Sequence, residues 1–600
     1  MDKIAVLDFG GQYAHLIANR VRRLNVYSEI LDPTTPASKL KKYKGIIFSG
    51  GPQSVYDKDS VKADPAILEL GLPILGICYG HQLLAQMQGA EVKHEADASE
   101  YGLTEMEVKK AEGLFKDLTS TEVVWMSHGD TVTELPPGYE VIGSTKSGEW
   151  SALANFEKNF FGTQFHLEVT HTKSGLKMLE NFLNICNVKQ DWSIDQFINE
   201  EISAIQKKVG DKKVFMLVSG GVDSTVAFVL LDKALGPDRV YGLFVDTGLL
   251  RKNERDKVEK SLKDAGFENL HVKDASDTFF EALQGIYDPE AKRKIIGDLF
   301  LRVQEKVVKD LKLNPDEWLL GQGTIYPDTI ESGGTKHSAK IKTHHNRVAQ
   351  VEELIKQGKI IEPIAQLYKD EVRSVGEKLG LPESLVWRHP FPGPGLGVRC
   401  LCAQEEKFPR NYVLLEEKID AELAPKGLEI WVLPIQSVGV QGDYRTYRNP
   451  LAIRGDASFE KLGAVGTDLI NRNEDVNRAL WMLYPNTIET LKVQLSFVTP
   501  ERIALLQEAD DIVNRFIEEY DLARDIWQFP TVLVPLSVNM DFGESIILRP
   551  VESEEAMTAN FYHMDQELLK VLVSRLKAVE GITGVFYDVT NKPPGTIEYE

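Results

Sequence analysis

Cysteine is scarce: four in 600 residues, Cys78, Cys186, Cys400 and Cys402. So few exclude a disulfide-stapled scaffold. The single residue between Cys400 and Cys402 is also not the two-residue gap of a zinc knuckle. No apolar run approaches the length of about 18 residues that a membrane span needs. Positive charge is in deficit, since 69 Lys and Arg against 90 Asp and Glu leave a formal net charge of −21. That balance argues against a general binder of nucleic acid or acidic membrane. The opening MDKIAVLDFGG reads as a strand and turn rather than a signal peptide. Together these absences predict a cytoplasmic protein without a nucleic-acid or membrane partner. What is present is ordinary globular material, 42% hydrophobic and 26% charged. A chain of this length suggests roughly four domains.

Residues 1–186 alternate short apolar runs (IAVLDF, GIIFSGG, LPILGIC) with helical stretches such as GHQLLAQMQGA. Such alternation predicts an α/β layered sheet with ligands at the carboxyl ends of its strands. A polar helical stretch near 188–213 precedes a second βα series that begins with VFMLVSGG, so a boundary is placed near 190. The Pro- and Gly-dense HPFPGPGLG (389–397) marks the next. Beyond it, VLPIQSV (432–438) and LVPLSV (533–538) each lead into a strand, a helix and another strand, which reads as a duplicated α+β unit. The expected layout is therefore 1–190, 191–398, and two copies over 399–500 and 501–600, an α/β multidomain chain.

LGICYGHQLLAQ places Cys78 where a strand turns sharply into a helix, relieved by Gly76 and Gly80. A thiol so placed stands at a helix N-terminus, whose dipole favours the thiolate. A buried core cysteine is the plain alternative. TQFHLEVTHT changes that weighting, because His166 and Glu168 are two apart and so share a strand face. A His that takes the thiol proton and a carboxylate that holds its other nitrogen complete a Cys-His-Glu triad. SGGP (49–52) offers backbone N–H groups for an oxyanion hole. These segments resemble the class I glutamine amidotransferases. The resemblance implies glutamine hydrolysis through a thioester on Cys78, with Gly51 and Tyr79 at the oxyanion and Gln82, Ser127, His128 and Asp130 near glutamine.

LVSGGVDST (217–225) follows an apolar strand and opens a helix, so its N–H groups can close around phosphate. The Walker pattern GxxxxGK[ST] is missing. SGGVDS resembles the PP-loop of the ATP pyrophosphatases, which implies ATP as co-substrate and Mg²⁺. Ser219, Gly220, Gly221, Val222, Asp223, Ser224, Thr225 and Val245 would then hold ATP, with Asp223 on the metal side. Segment 331–347 carries lysines, glycines and three histidines without apolar periodicity. It fits a lid that brings Lys342, His345 and Arg347 to phosphates. Lys369, Asp370 and Arg373 in LYKDEVR match a domain-contact helix, expected to couple the two sites.

HPFPGPGLGVR, VGVQGDYRTY, MTANF and KPPGTIEYE are collinear with the glutamine-hydrolysing GMP synthetase family. The resemblance spans the whole chain and implies XMP, ATP and glutamine as substrates. Ammonia would have to travel between two active sites. XMP would lie near Arg293, Asp443, Gln528, Lys592, Ile597 and Glu598. Another ligase of this kind, of NAD or asparagine synthetase type, would have no reason to carry the last motifs. The shorter family pattern has one C-terminal unit that pairs with a second subunit, whereas here VGVQGD and KPP fall on different copies. Gly584 fills a slot where short forms tend to carry Arg, while the first copy has Arg478 there. Arg478 is therefore expected to approach the XMP phosphate. The chain is expected to be a monomer, with a weak or substrate-dependent homodimer as the other outcome.

Overall fold

The short runs dense in Ile, Val and Leu become strands sealed between helices, as parallel sheets require. The computed structural model describes residues 2–11, 13–94, 99–310, 316–326, 328, 357–388, 390–441, 444–553 and 559–600. Asp443, Lys342, His345 and Arg347 lie outside the described residues. Contacts divide the chain into two units. The first holds residues 1–204 and 364–378 with the described part of 324–345, and the second holds the remainder. Thus residues 364–378, expected within the stretch 191–398, pack with the amino-terminal sheet.

The first unit is built on nine strands: β1 (Lys3–Leu7), β2 (Tyr27–Leu31), β3 (Gly45–Phe48), β4 (Ile74–Ile77), β5 (Glu100–Val108), β6 (Thr121–His128), β7 (Glu140–Thr145), β8 (Ala152–Asn155) and β9 (Phe160–Thr163). Their order is β2-β1-β3-β4-β9-β8-β7-β5-β6. Strands β2 to β9 of that order are parallel and the rest antiparallel. Helices α1 (Ala14–Arg23), α2 (Tyr79–Met87) and α3 (Gly175–Ile185) flank it.

In the second unit β10 (Lys213–Leu217), β11 (Val240–Asp246), β12 (Leu270–Asp274), β13 (Trp318–Gly321) and β14 (Ile360–Ile361) form an all-parallel sheet. Its order is β12-β11-β10-β13-β14. Helix α4 (Val222–Leu235) follows β10, and α5 (Pro289–Asp310) follows β12.

The last sheet has seven strands, drawn from both expected copies. β15 (Glu429–Val432) runs antiparallel to β17 (Tyr444–Arg454), which runs parallel to β18 (Val476–Tyr484). β19 (Thr531–Val534) runs antiparallel to β20 (Glu544–Leu548), which runs parallel to β21 (Ile582–Asp588). β16 (Ser437–Gln441) pairs with β17 off this path. Each parallel pair is joined through a helix, α6 (Phe459–Arg472) or, beyond α7 (Pro500–Glu519), α8 (Gln566–Leu576). Ser458 and Asp565 cap α6 and α8 through their side chains, satisfying N–H groups that the first turn leaves open. The halves join where β18 and β21 meet antiparallel, with Trp481 opposite Tyr587, Leu480 opposite Asp588 and Met482 opposite Phe586. Aligning Val476 with Ile582 makes Trp481 the counterpart of Tyr587. Each therefore faces its own equivalent, as residues on a two-fold axis do. The duplicated stretches build one continuous sheet with an internal pseudo-dyad.

Candidate functional site

In the first unit three neighbouring parallel strands, β3, β4 and β9, deliver the expected triad and its Gly-rich loop at their carboxyl ends. Cys78 has φ 52° and ψ −107°, a left-handed backbone that costs energy for any residue with a Cβ and is typical of a sharp catalytic turn. The turn exists because its neighbours are small. A Cβ on Gly80 would fall 2.3 Å from the Phe48 carbonyl oxygen, and one on Gly76 would fall 2.4 Å from that of Gly80. The Cys78 amide donates to the Thr163 carbonyl at 2.8 Å, tying the elbow to β9.

His166 and Glu168 are buried and meet at 2.7 Å between Nδ1 and Oε1. Burial pushes the His166 pKa down, but the Glu168 charge and the hydrogen bond with Cys78 outweigh it and raise the value to about 11. The imidazole is thus a strong acceptor for the thiol proton. A Cβ on Gly50 would lie 3.2 Å from His166 Cε1 and 3.8 Å from Cys78 Cβ. That places the SGGP loop beside both groups, with Gly51 packed on Phe9 and Tyr79.

The helper residues converge as well. Gln82 Nε2 donates to the Asp130 carbonyl at 2.8 Å and to Gln164 Oε1 at 3.1 Å. The Ser127 carbonyl lies 3.8 Å from Cys78 Sγ. His128 Nδ1 sits 3.0 Å from the Asp130 carbonyl, and its Nε2 sits 3.5 Å from Glu100. Sequence reasoning missed Gln164, whose Nε2 is 3.8 Å from Cys78 Sγ. Its position two before His166 in TQFHLE was the available signal.

Helix α1 connects this site to the helix Lys369–Lys378, which packs in the same unit. Arg20 Nε donates to the Glu168 carbonyl at 3.1 Å. Two residues on, the buried Arg22 donates to Glu371 at 3.0 Å and to the Gln366 carbonyl at 2.5 Å. Tyr27, Tyr326 and Tyr368 surround its guanidinium with ring centroids at 4.7, 5.5 and 5.1 Å. Asp370 meets Asn19 and Arg23 at 3.4 Å each. Of the expected coupling residues, Asp370 is thus placed against α1. The buried partner is Glu371, which was not singled out.

In the second unit the Gly-rich loop expected to hold ATP follows β10. Gly220 has φ +78°, a turn that a side chain would strain. Ser219 N donates to Ser224 Oγ at 3.0 Å, and Ser224 Oγ donates to the Gly221 carbonyl at 3.1 Å. The hydroxyls therefore brace a loop that ends in the first turn of α4, an anion-binding arrangement. Val222, Asp223 and Thr225 lie in that turn, with Val222 and Thr225 buried. Val245 is buried near the end of β11. A Cβ on Gly323, just after β13, would lie 2.8 Å from Ser224 Cα, so the GQGT segment closes on the loop.

The expected acceptor residues gather around the tail. Gln528 Nε2 donates to the Pro390 carbonyl at 3.0 Å and to Glu598 Oε1 at 3.4 Å. Arg399, which sequence reasoning passed over, grips both Glu598 oxygens at 3.0 and 2.8 Å. Lys592 exchanges backbone hydrogen bonds with Ala559, and Ile597 is half-buried between them and Tyr599 in the chain. Burial raises the Glu600 carboxyl pKa above the usual value, although Lys292 and, more weakly, Arg293 on α5 pull it down. Lys292 reaches the Glu600 carboxylate directly.

Arg478 differs from expectation. It is fully buried, with Nη1 on Asp588 at 2.8 Å. Its Nη2 lies on Val438, Thr596 and Glu598 carbonyls at 3.0, 3.0 and 3.2 Å. Nη1 is committed to Asp588 and Nη2 to the tail that carries Lys592 and Glu598, so the buried guanidinium does not stand open to a phosphate.

Residues 5–186 match the family described as Glutamine amidotransferase class-I, residues 193–295 match NAD synthase, and residues 515–599 match the GMP synthase C terminal domain. A probable glutamine-hydrolyzing GMP synthase of Leptospira interrogans is 47% identical over 607 residues, covering 100% of this chain and 99% of the relative. A glutamine-hydrolyzing GMP synthase of Clostridium botulinum is 46% identical over 516 residues, covering 81% of this chain and 99% of the relative. With identity of this order along its entire length, the chain belongs to the glutamine-hydrolysing GMP synthase family.

Proposed function

We propose that the chain converts XMP, ATP, glutamine and water into GMP, AMP, pyrophosphate and glutamate at two chemically separate sites. The observation that carries the first site is the strained Cys78 elbow beside a His166 bonded to Glu168 at 2.7 Å. His166 takes the thiol proton, the sulfur attacks the glutamine amide carbon, and Gly51 and Tyr79 N–H groups hold the developing oxyanion. His166 then returns a proton to the departing ammonia, and water releases glutamate from the thioester. Gln82, Ser127 and His128 position the substrate.

At the second site the loop from Ser219 to Thr225 holds ATP phosphates, and Val245 packs on the adenine side. The C2 oxygen of xanthine leaves poorly until adenylation turns it into AMP, which ammonia displaces. Arg293 and Lys592 suit the XMP phosphate, while Gln528, Glu598, Ile597 and Asp443 suit the sugar and base. The lid cations Lys342, His345 and Arg347 would serve the phosphates, and Lys369, Asp370 and Arg373 would relay occupancy between sites. Among the described residues no group of three or more His, Cys, Asp or Glu could hold a metal. Asp223 by itself fits a Mg²⁺ that keeps phosphate oxygens and water as its other ligands. Bound there, the ion would neutralise phosphate charge. The NAD synthase resemblance stops at residue 295, short of every acceptor residue named above except Arg293, so it bears chiefly on the nucleotide half.

No described helix is long and apolar enough to cross a membrane, and we place the enzyme in the cytoplasm. The internal pseudo-dyad supports a monomer, since the face that a short form would bury against a second subunit is covered within the chain. Sedimentation at micromolar protein checks this.

The test of the whole reading is Cys78→Ala. Glutamine-dependent GMP formation should be lost and formation from ammonium salts retained, with ATP converted to AMP and pyrophosphate. Production of ADP and phosphate would overturn it.

A further inference from the structure

Glu598 and Gln528 touch each other, yet neither fixes the plane of the Glu598 carboxylate. That is done from beneath by Arg399, fully buried, whose Nε and Nη2 form a two-pronged grip at 3.0 and 2.8 Å. The Glu598 side chain keeps 19% of its surface exposed, so the carboxylate is gripped without being fully enclosed. Arg399 is itself locked. Its Nη1 lies 4.0 Å from the buried Asp510, which also pairs with Arg251 at 3.3 Å. The Phe391 ring lies near both guanidinium groups, its centroid 4.7 Å from Arg251 and 5.3 Å from Arg399. A flat guanidinium that donates from two of its nitrogens presents a carboxylate in one plane, which the point charge of a lysine cannot do.

We propose that Arg399 is a positioning residue of the acceptor site, one that fixes the plane of the Glu598 carboxylate as an acceptor for hydrogen-bond donors on the nucleotide to be aminated. This rests on the reading of Glu598 as an acceptor-site residue given above. Arg399 touches no substrate; it acts through Glu598. Because Arg251 ends the segment FVDTGLLR on the ATP side, the same clamp runs from that segment to the tail, but the effect expected of Arg399 is on the acceptor.

The experiment is ammonia-dependent synthesis by the full chain, read as AMP release with XMP and ATP varied separately. Arg399→Lys should raise the KM for XMP at least tenfold and leave the KM for ATP within twofold. Glu598→Gln should do the same, and the double variant should be no worse than Glu598→Gln alone, because the two act as one unit. If Arg399→Lys does not fold, Glu598→Asp, which draws the carboxylate back from the grip by one methylene, should reproduce the XMP effect. Equal shifts in both KM values, additive losses, or an unchanged XMP KM in the folded variant would overturn the proposal. Unmodified enzyme that fails to consume XMP would instead sink the underlying functional reading.

Discussion

The two halves of the seven-stranded sheet share strand order, direction and capped crossover helices, yet their charged residues have parted. With Trp481 set on Tyr587, Arg478 falls on Gly584, Met482 on Asp588 and Arg454 on Arg549. In the second half Asp588 and Arg549 are fully buried and pair at 3.2 Å, joined by Arg478 from the first. In the first half Arg454 is half-exposed and, among the described residues, pairs with the surface Glu429 at 3.0 Å. Each half also follows its last strand with Thr-Ile-Glu. Thr596–Ile597–Glu598 is gripped by Arg478 and Arg399, whereas Thr487–Ile488–Glu489 folds back on Asn539, which bonds the Glu489 amide at 2.7 Å. The apolar strands determine the shared architecture, and a handful of charges decide which half grips the segment after its last strand.

The comparison breaks most visibly at Asp588. Asp588→Asn should strip two buried arginines of their counter-charge and cost about 3–5 kcal/mol, measured by denaturant unfolding, with synthetase activity falling and glutaminase activity kept. Burial raises the Asp588 pKa, but Arg549 and Arg478 outweigh it and hold the value below that of a free Asp. Its stabilisation is therefore present above about pH 4, where the unfolded group ionises, and is lost as pH falls through the lower folded value. The Asn variant should lack this acid-dependent loss.

A smaller effect is expected where the halves differ by space. Gly584→Ala places a Cβ 2.5 Å from Ser545 Oγ and 2.9 Å from Val538 Cγ2, so it should cost about 1–3 kcal/mol by overpacking. The equivalent position in the first half accommodates the whole of Arg478. The smallest effect belongs to Arg454→Ala, within about 0.5 kcal/mol, because a surface ion pair contributes little. A large loss there would mean that the halves share more of the load than their burial suggests.

Legibility followed sequence distance. Cys78, the pair His166 and Glu168, and the Ser219–Thr225 loop each lie within one strand–turn segment, where local chemistry dictates local shape. The residues that fix them come from afar. Arg22 finds Glu371 across 349 positions, and Arg399 finds Glu598 across 199. No periodicity in one sequence marks such partners. Arg478 was noticed from its slot in the repeat, but its direction depended on Asp588 and three carbonyls that only the folded sheet supplies. The placement of residues 364–378 with the amino-terminal sheet was equally hidden, because it rests on long-range contacts such as those of the buried Arg22 with Glu371 and Gln366 and of Asp370 with α1.

Arg478 and the tail it holds are parts of one polypeptide. The anchor is therefore present at an effective concentration set by the fold, and not by how much protein surrounds it. A site completed by a second subunit empties when its protein is diluted below the dissociation constant of the pair. The anchorage of the tail by Arg478 has no such constant, so in the monomer proposed above specific activity should not fall as the enzyme is diluted.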